Sequence, residues 1–445
     1  MSITFKQYHP VKTGLAVLFM LLFLACIGLL AWASYKGATV HGPIHIAANA
    51  ARVCVTLNDE ILVLDTHGAL QERHTLDALG VSGYPIDLRL QDDGTLLIAT
   101  QRPAGLFMCA SPYWQCQVVE SPLFEQLRTQ IKVLRDPGGE DLFVSDTAGG
   151  RLHRLSADGQ NVRGLTAVGQ FRRVNDIALD QKRRLWVADS GNRRIAILQP
   201  DANGDWAMTG ELSARTELAR PGLDWPMMIA LSPDGNAWVV QPDALGESAD
   251  LLIYDAQQGV KARINLLDDA HPTDVAHSGN SMLVTDRDAF RIQRVDIDTH
   301  AVKPFGDQGV QVILDAAAGE NARADRMMDL ALAGMVLFGV LMIAMALWAT
   351  PKGRLFTQQR GVPKLEARPA SGPRSGGLHW LVRDAKTDKF LCMAQRTLLL
   401  ATVGMAAALI FAGYLLNSVL DKEAARQAAS CITGISEVLA VLGLS

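Results

Sequence analysis

Hydrophobic and polar residues alternate along residues 173–198, which read RVNDIALDQKRRLWVADSGNRRIAIL. Val174, Ile177 and Leu179 are separated by polar residues, as in a strand with one buried face. The apolar run Leu185–Ala188 predicts a second strand, and the polar residues that follow it accept turn geometry. Apolar residues return from Ile195, so this stretch predicts three consecutive strands joined by tight turns.

The same pattern recurs about every 40–45 residues in six copies between residues 44 and 310. The second strands end most alike at 144–146, 187–189 and 284–286, and more loosely at 55–57, 98–100 and 239–241. The third strands are predicted at 60–65, 105–109, 151–155, 194–198, 250–254 and 291–297. Strands at this density, without helical periodicity between them, predict an all-β six-bladed propeller with four strands in each blade. Residues 310–314 (VQVIL) are expected to add a strand that closes the ring.

Three uncharged stretches, Gly14–Ser34, Leu330–Thr350 and Thr397–Leu420, each reach the length of about 20 residues that a membrane-spanning helix needs. We therefore expect three transmembrane helices beside the propeller. The first stretch has an alternative interpretation as a cleaved signal peptide, although its apolar run is longer than a usual signal core.

The basic residues predict the orientation. Residues 351–396 carry ten Lys or Arg and three acids, and Lys6 and Lys12 precede the first span. Because positive loops stay in the cytoplasm, the propeller is expected in the periplasm of a bacterial-type inner membrane. The predicted segments are a cytoplasmic N-terminus (1–12), a transmembrane helix (13–35), a linker (36–43), the propeller (44–315), a helical lead-in (316–328), a second transmembrane helix (329–350), a basic and partly disordered cytoplasmic loop (351–396), a third transmembrane helix (397–420) and a periplasmic tail (421–445).

Charge narrows the choice of partners. Residues 13–350 contain 28 basic and 40 acidic residues, a net charge of about −12. Such a surface repels nucleic acid, so a nucleic-acid partner is not expected.

Cys109 and Cys116 bracket a plausible turn and could form a disulfide in an oxidising compartment, or they could be two ordinary thiols.

The stretch VNDIALDQKRRLWVADSGNRRIAIL resembles an NHL repeat. Asp189, Gly191, Asn192, Arg194 and Ile195 fit the usual pattern of the repeat, whereas Asp176 stands where that family normally has Gly. The resemblance covers about 270 residues of the middle region and implies a six-bladed propeller. It is specific for fold and poor for function, because such propellers serve both as binding modules and as enzymes.

Two sets of aspartates recur. Asp146, Asp189 and Asp286 end the second strands, where a structural role in accepting backbone N–H bonds from the following turn is expected. A second position, at the start of the first strands, holds Asp87, Lys132, Asp176, Met228 and Asp274 in copies two to six.

Because first strands line the central channel, the three carboxylates of this second set would surround one channel mouth. They could hold a hard cation such as calcium, pair with Lys132 or Arg173, or remain hydrated without a ligand. Lactonase relatives of these propellers hold a divalent metal with acids and an Asn just before this position. Only Asn175 matches, which argues against a lactonase. No other cofactor is expected.

No phosphate-binding loop, nucleophile elbow or His-Glu-x-x-His motif occurs in the chain. The sequence thus favours a protein-binding scaffold subunit of a cell-envelope complex. Two alternatives stay open: a metal-dependent lactone or ester hydrolase that uses Asn175 and Asp176, and an envelope sensor that signals through a cytoplasmic partner. The oligomeric state is not indicated.

Overall fold

The structure of the protein, a computed structural model, describes residues 10–349 except 112–113, 128–130, 137–140, 166–169, 202–204, 244–247 and 268–269. The chain divides into two compact units. Lys36–Arg323 forms one unit, and the described residues 10–35 and 324–349 belong to the other.

Within the described residues of the first unit, 24 strands form six four-stranded antiparallel sheets, each built from one continuous segment of chain. The first three blades contain β1 (Ile46–Ala48), β2 (Arg52–Leu57), β3 (Glu60–Asp65), β4 (Leu70–Thr75), β5 (Tyr84–Leu90), β6 (Leu96–Gln101), β7 (Gly105–Ala110), β8 (Gln115–Val118), β9 (Ile131–Arg135), β10 (Leu142–Asp146), β11 (Arg151–Leu155) and β12 (Val162–Gly164). The last three contain β13 (Val174–Leu179), β14 (Leu185–Asp189), β15 (Arg194–Pro200), β16 (Trp206–Ser213), β17 (Met228–Leu231), β18 (Ala237–Pro242), β19 (Ala249–Asp255), β20 (Gly259–Ile264), β21 (Pro272–Ser278), β22 (Ser281–Asp286), β23 (Arg291–Asp296) and β24 (Val302–Pro304).

The first strands contact one another in ring order, from β1 through β5, β9, β13, β17 and β21 back to β1. The predicted six-bladed propeller is therefore confirmed. Burial explains the strand pattern: second strands such as β14 and β18 are buried throughout, because neighbouring blades cover both of their faces. Fourth strands such as β12 lie at the rim and are exposed, which is why their sequences are the least apolar.

Hydrophobic clusters fill the spaces between neighbouring blades. Trp186 lies between the fourth and fifth blades, and Trp238 lies between the fifth and sixth. Both indole rings are almost wholly buried. The contacts are made face to face between sheets, so stability depends on each blade having a neighbour on both sides.

The ring closes without a shared strand, and the expectation of a closing strand at 310–314 is wrong. These residues belong to α3 (Gln308–Ala349), which also places a helix inside the predicted propeller boundary at 315. Asp307 begins the helix, with its carboxylate accepting the amide of Val310 at 2.9 Å. Val310, Leu314 and Ala317 are spaced for one helical face and are buried against the first and last blades.

The remaining described helices are α1 (Pro10–Thr39) and the short α2 (Pro122–Gln126), which Ser121 caps. The predicted linker 36–43 is thus partly helical, since α1 continues to Thr39 with Lys36 in its last turn, where a cation is favourable. Cys109 and Cys116 face each other in β7 and β8 and form a disulfide.

The second unit contains most of α1 and α3. Phe23 and Leu30 of α1 pack against Ala331 and Met335 of α3. In the described part of the chain, Val17–Gly37 and Gln308–Ala344 are long and apolar enough to cross a bilayer. The predicted third span at 397–420, the loop 351–396 and the tail 421–445 lie outside the described residues.

Candidate functional site

The predicted channel residues lie where expected, at the start of the first strands. Asp87, Lys132, Asp176 and Asp274 each expose 4 % of their surface or less. In β5, β13 and β21 the pairing register shifts directly before the aspartate. A β-bulge re-aims the side chain that follows it, so each aspartate can turn toward the next blade.

Each carboxylate bonds a backbone amide of the following blade. Asp87 accepts from Val133 at 2.9 Å and Asp176 accepts from Ile229 at 2.8 Å. Asp274 accepts from Ile46 at 3.1 Å. The three aspartates therefore join blade two to three, four to five, and six to one.

Two cations complete the network. Arg89, two residues after Asp87 on the same strand face, donates to Asp87 at 3.2 Å and also to Asp176 in the fourth blade. Lys132 donates to the Ile86 carbonyl at 2.7 Å and lies 3.4 Å from Asp87. Lys132 pairs with a channel carboxylate, as expected. The arginine that pairs with these carboxylates is Arg89 and not the expected Arg173.

His45 occupies the corresponding position in the first blade. Its Nδ1 lies 3.5 Å from a carboxylate oxygen of Asp274 and has no hydrogen-bond partner. Burial lowers the pKa of His45. The ring of first strands thus gathers three acids, two permanent cations and one histidine that burial keeps neutral.

These groups differ in their protonation. Burial opposes ionisation of Asp87, but Arg89 and Lys132 outweigh it and hold the pKa of Asp87 below its usual range. Burial raises the pKa of Asp176 to about 6, although Arg89 and Lys132 act to lower it, and the negative charge of Asp87 adds to the increase. Arg89 is held firmly in its charged form, with a raised pKa, by the two carboxylates that it contacts.

The arrangement supports structure more directly than metal chemistry. The carboxylates of Asp87 and Asp176 are engaged by backbone amides and cations, and that of Asp274 accepts from the amides of Ile46 and Val275. Across the described residues, no three His, Cys, Asp or Glu side chains are grouped so that they could hold a metal ion. Asn175, the bulge residue before Asp176, donates to the hydroxyl of Ser190 at 2.7 Å instead.

The second-strand aspartates organise turns. Asp146 accepts from Gly149 at 2.9 Å and Asp286 accepts from Ala289 at 3.0 Å, both in the turn that follows. Asp189 instead accepts at 2.8 Å from the amide of Arg172, in the segment that connects the third and fourth blades. These residues therefore fix turns and blade connections.

Comparison with known proteins identifies the fold. No family model matches the chain. The chain is similar to NHL repeat-containing protein 3 of Mus musculus, with 26% identity over 271 residues that cover 50% of this chain and 76% of the mouse protein. The middle region is an NHL-like six-bladed β-propeller.

Two solved structures illustrate the similarity in fold. Virginiamycin B lyase from Staphylococcus aureus shares 16% identity, with 60% of this chain and 85% of the lyase covered and a TM-score of 0.43. A putative gluconolactonase shares 15% identity, with 60% of this chain and 91% of the other covered and a TM-score of 0.44.

The NHL-like residues of the fourth blade form one connected group. The carboxylate of Asp189 accepts from Asn192 and from Arg194, both at 2.8 Å. Arg194 also donates to the Gln170 carbonyl at 2.9 Å. A Cβ at Gly191 would lie 2.5 Å from the Arg172 carbonyl oxygen, so the close approach of the connecting segment requires glycine. The repeat motif thus serves to hold one blade to the next.

One face of the NHL-like propeller carries the connections between blades, and we call it the connection face. First strands begin and fourth strands end there. On it, the indole ring of Trp225 contacts two guanidinium groups, those of Arg173 at 5.7 Å and Arg193 at 5.8 Å from its centroid. Arg193 and Arg215 both donate to Asp224, at 2.7 and 3.0 Å.

A pocket of about 440 Å³ opens in the same loop, lined by residues 214–224 except Leu218. Sequence reasoning missed this cluster, because its members come from three separate segments. It also missed Arg89 and His45. The alternation along β5 is a signal for Arg89, since residues two apart on a strand share a face.

Proposed function

We propose that the protein is an inner-membrane protein whose periplasmic propeller binds a protein partner, as a scaffold subunit of a cell-envelope complex. The observation that carries this proposal is the filled centre of the propeller. Contacts between blades occupy the three channel carboxylates, those of Asp87, Asp176 and Asp274, and the cations Arg89 and Lys132 lie beside them. Recognition then falls to the faces and the rim, which suit a protein surface.

The same observation disfavours a hydrolase. A hydrolytic metal needs several ligands and one open coordination position. To bind a metal here, Asp176 would have to give up Arg89 and the amide of Ile229, leaving both groups buried without a partner. We therefore favour binding over catalysis.

The membrane part of the proposal is supported by two apolar helices and by the basic sequence of residues 351–396. One helix precedes the propeller and the other follows it. A propeller tethered at both ends is restricted in height and tilt, which suits a scaffold. The sensor alternative depends on residues 351–396, which lie outside the described residues.

Partner binding is tested on the full-length tagged chain, purified from native membranes in mild detergent. We expect a defined complex with an envelope protein at fixed stoichiometry, and no stoichiometric divalent metal by elemental analysis. A free chain at every step of purification contradicts the scaffold role. One bound divalent ion per chain, lost in Asp176→Asn, favours the hydrolase instead.

Orientation is tested separately with an impermeant thiol reagent on spheroplasts. Val162 is an exposed propeller residue, and Ser371 lies in the predicted cytoplasmic loop. In a background where Cys392 and Cys431 are replaced by Ser, Val162→Cys should be labelled and Ser371→Cys protected until the membrane is broken. The opposite pattern contradicts a periplasmic propeller.

A further inference from the structure

The chain enters the propeller at the connection face, where the segment after α1 reaches β1. Between β24 and α3, the amide of Asp307 donates at 2.8 Å to the carbonyl of Gly68, in the turn that joins β3 to β4. Two hydrogen bonds join the entering segment to the last blade. The amide of Gly42 donates to the Arg287 carbonyl at 3.0 Å, and the hydroxyl of Thr285 donates to the Ile44 carbonyl at 2.9 Å. The opposite face carries only turns within blades.

The connection face also carries an unusual group of arginines. Arg173 and Arg193 lie over the Trp225 ring, and Arg215 shares Asp224 with Arg193. Arg172 precedes Arg173 in the chain, and we call these four arginines together with Leu218 the arginine patch. Asp224 is shared between Arg193 and Arg215, so one carboxylate faces two cations. Among the described residues, neither Arg172 nor Arg173 forms an ion pair, and both are exposed.

The backbone of the patch is held in a demanding conformation. Arg173 and Arg193 both adopt left-handed backbone, with φ of 56° and 54°. Non-glycine residues are uncommon there and persist only where surrounding contacts enforce them. The guanidinium groups of Arg173 and Arg193 both lie over the Trp225 ring, so one aromatic side chain contacts two of the four arginines.

Exposed apolar residues accompany these charges. Leu218 exposes 42 % of its surface and Met227 exposes 37 %, and both lie in the connection between β16 and β17. Arginine, tryptophan and exposed aliphatic side chains together are the combination found where proteins meet the headgroup region of a membrane. The nearby 440 Å³ pocket has room for a headgroup, and the arginines Arg215 and Arg220 line it together with the acids Glu217 and Asp224.

We propose that the arginine patch binds anionic phospholipid headgroups on the surface of the bilayer in which the protein is anchored. This inference rests on the proposed membrane anchoring. Residues 13–350 carry a net charge of about −12, so an anionic surface repels most of the propeller and attracts it where cations are concentrated.

The test is photo-crosslinking of the full-length protein in proteoliposomes that contain phosphatidylglycerol, with a benzophenone amino acid in place of Leu218. Val162 is the matched control, since it is exposed to 41 % at the start of β12, at the opposite face. We expect a phospholipid adduct at position 218 that is at least fivefold more abundant than at position 162. Each arginine near an anionic surface shifts the contact equilibrium by about fivefold.

Accordingly, the pair Arg172→Glu and Arg173→Glu should lower the adduct at 218 at least fivefold, as should replacement of phosphatidylglycerol by phosphatidylcholine. The matched pair Arg163→Glu and Lys182→Glu, on the opposite side of the blades, should leave it unchanged. Equal adducts at 218 and 162, or no effect of the arginine pair, overturn the proposal. A protein adduct at 218 in native membranes, without lipid, assigns the patch to a protein partner instead.

Carbonate extraction of membranes distinguishes a failure of the lipid contact at the arginine patch from a failure of the proposed membrane anchoring. If the chain is released from membranes, the anchoring fails and the lipid contact fails with it. If the chain stays in the membrane but position 218 yields no lipid adduct, only the inference about the patch is wrong.

Discussion

The carboxylate of Asp274 in the last blade accepts a 3.1 Å hydrogen bond from the backbone amide of Ile46 in the first blade, 228 positions earlier in the chain. Because every described sheet is built from one continuous segment, no strand is shared between the first and last blades. Closure therefore depends on packing and on single hydrogen bonds, such as the one from the Gly42 amide to the Arg287 carbonyl at 3.0 Å, and Asp274 supplies a buried side-chain bond. The same bond type joins Asp87 to Val133 and Asp176 to Ile229, so alternate blade interfaces are fastened alike.

Replacing Asp274 by Ala should loosen the ring at its seam. The variant leaves the amide of Ile46 buried without its acceptor, which costs about 1–3 kcal/mol. Hydrogen–deuterium exchange of the detergent-solubilised chain should rise in β1 and β21 and change little in β13. Asp298→Ala, an exposed aspartate in the last blade, is the control. Unchanged exchange in β1 would show that the ring closes without the bond from Asp274.

Arg89 should be the most sensitive position in the channel. Arg89→Met keeps much of the side-chain volume but leaves Asp87 and Asp176 facing the channel without the cation that they share. Breaking a buried pair in this way costs about 3–5 kcal/mol. Chemical unfolding followed by tryptophan fluorescence measures the loss. Arg73→Met, which removes a more exposed pair with Glu60, should cost less than about 1 kcal/mol.

Asp176 should make stability fall as pH rises. Its pKa of about 6 in the folded protein lies above the ordinary value of 3.8, so between these values the folded state binds more protons than the unfolded state. The contribution of Asp176 is therefore most favourable below about pH 4 and is lost by about pH 6, with a total of roughly 3 kcal/mol.

The comparison with Asp176→Asn isolates this effect, because asparagine cannot ionise. The unfolding free energy of the wild type minus that of the variant should decrease between pH 4 and pH 7. Other aspartates, such as Asp180, have lowered pKa values and act in the opposite direction, but they are common to both proteins. A difference that stays constant with pH would contradict a raised pKa.

The repeat made part of this site predictable. The recurrence of Asp87, Asp176 and Asp274 at one position of the blade indicated that they share an environment, and β-strand alternation placed them near the axis. Their partners were not predictable in the same way. Which cation meets Asp176 depends on the diameter of the closed ring, and Arg89 reaches it from two blades away.

The error at residues 310–314 has a different cause. The pattern of residues 310–314 fits a strand and a helix equally well, because five residues are too few to distinguish the period of 2 in a strand from the period of 3.6 in a helix. The deciding features lie outside the pentapeptide, in the capping carboxylate of Asp307 and in Ala317, which continues the buried helical face. A longer window would have favoured the helix.

A pair of substitutions in this helix tests that assignment. Leu314 is fully buried against the blades, whereas Val312 exposes 61 % of its surface. Leu314→Ala should therefore destabilise the propeller by about 2–5 kcal/mol, and Val312→Ala should change stability by less than about 0.5 kcal/mol. In a strand, residues two apart share a face, so a strand at this position predicts similar effects at both positions.

The disulfide between Cys109 and Cys116 reports on the compartment of the propeller. Such bonds persist in the periplasm and are rare in the cytosol. In protein isolated from cells without reductant and denatured, a maleimide should therefore modify Cys54 but neither Cys109 nor Cys116. Cys54 is the internal control, since burial raises its pKa to about 12 and it lacks a disulfide partner among the described residues, so denaturation alone exposes it.

Adding reductant after denaturation should then make all three thiols reactive, which mass spectrometry of the peptides can show. Modification of Cys109 and Cys116 before reduction would place the propeller in a reducing compartment and contradict its export. The bond closes a short loop, with the two cysteines seven positions apart, so replacing both by Ser should cost about 2 kcal/mol. Because that loss is small compared with the stabilisation from packing between blades, the variant should still fold. The labelling of Cys109 and Cys116 therefore reports the compartment of the propeller and not its stability.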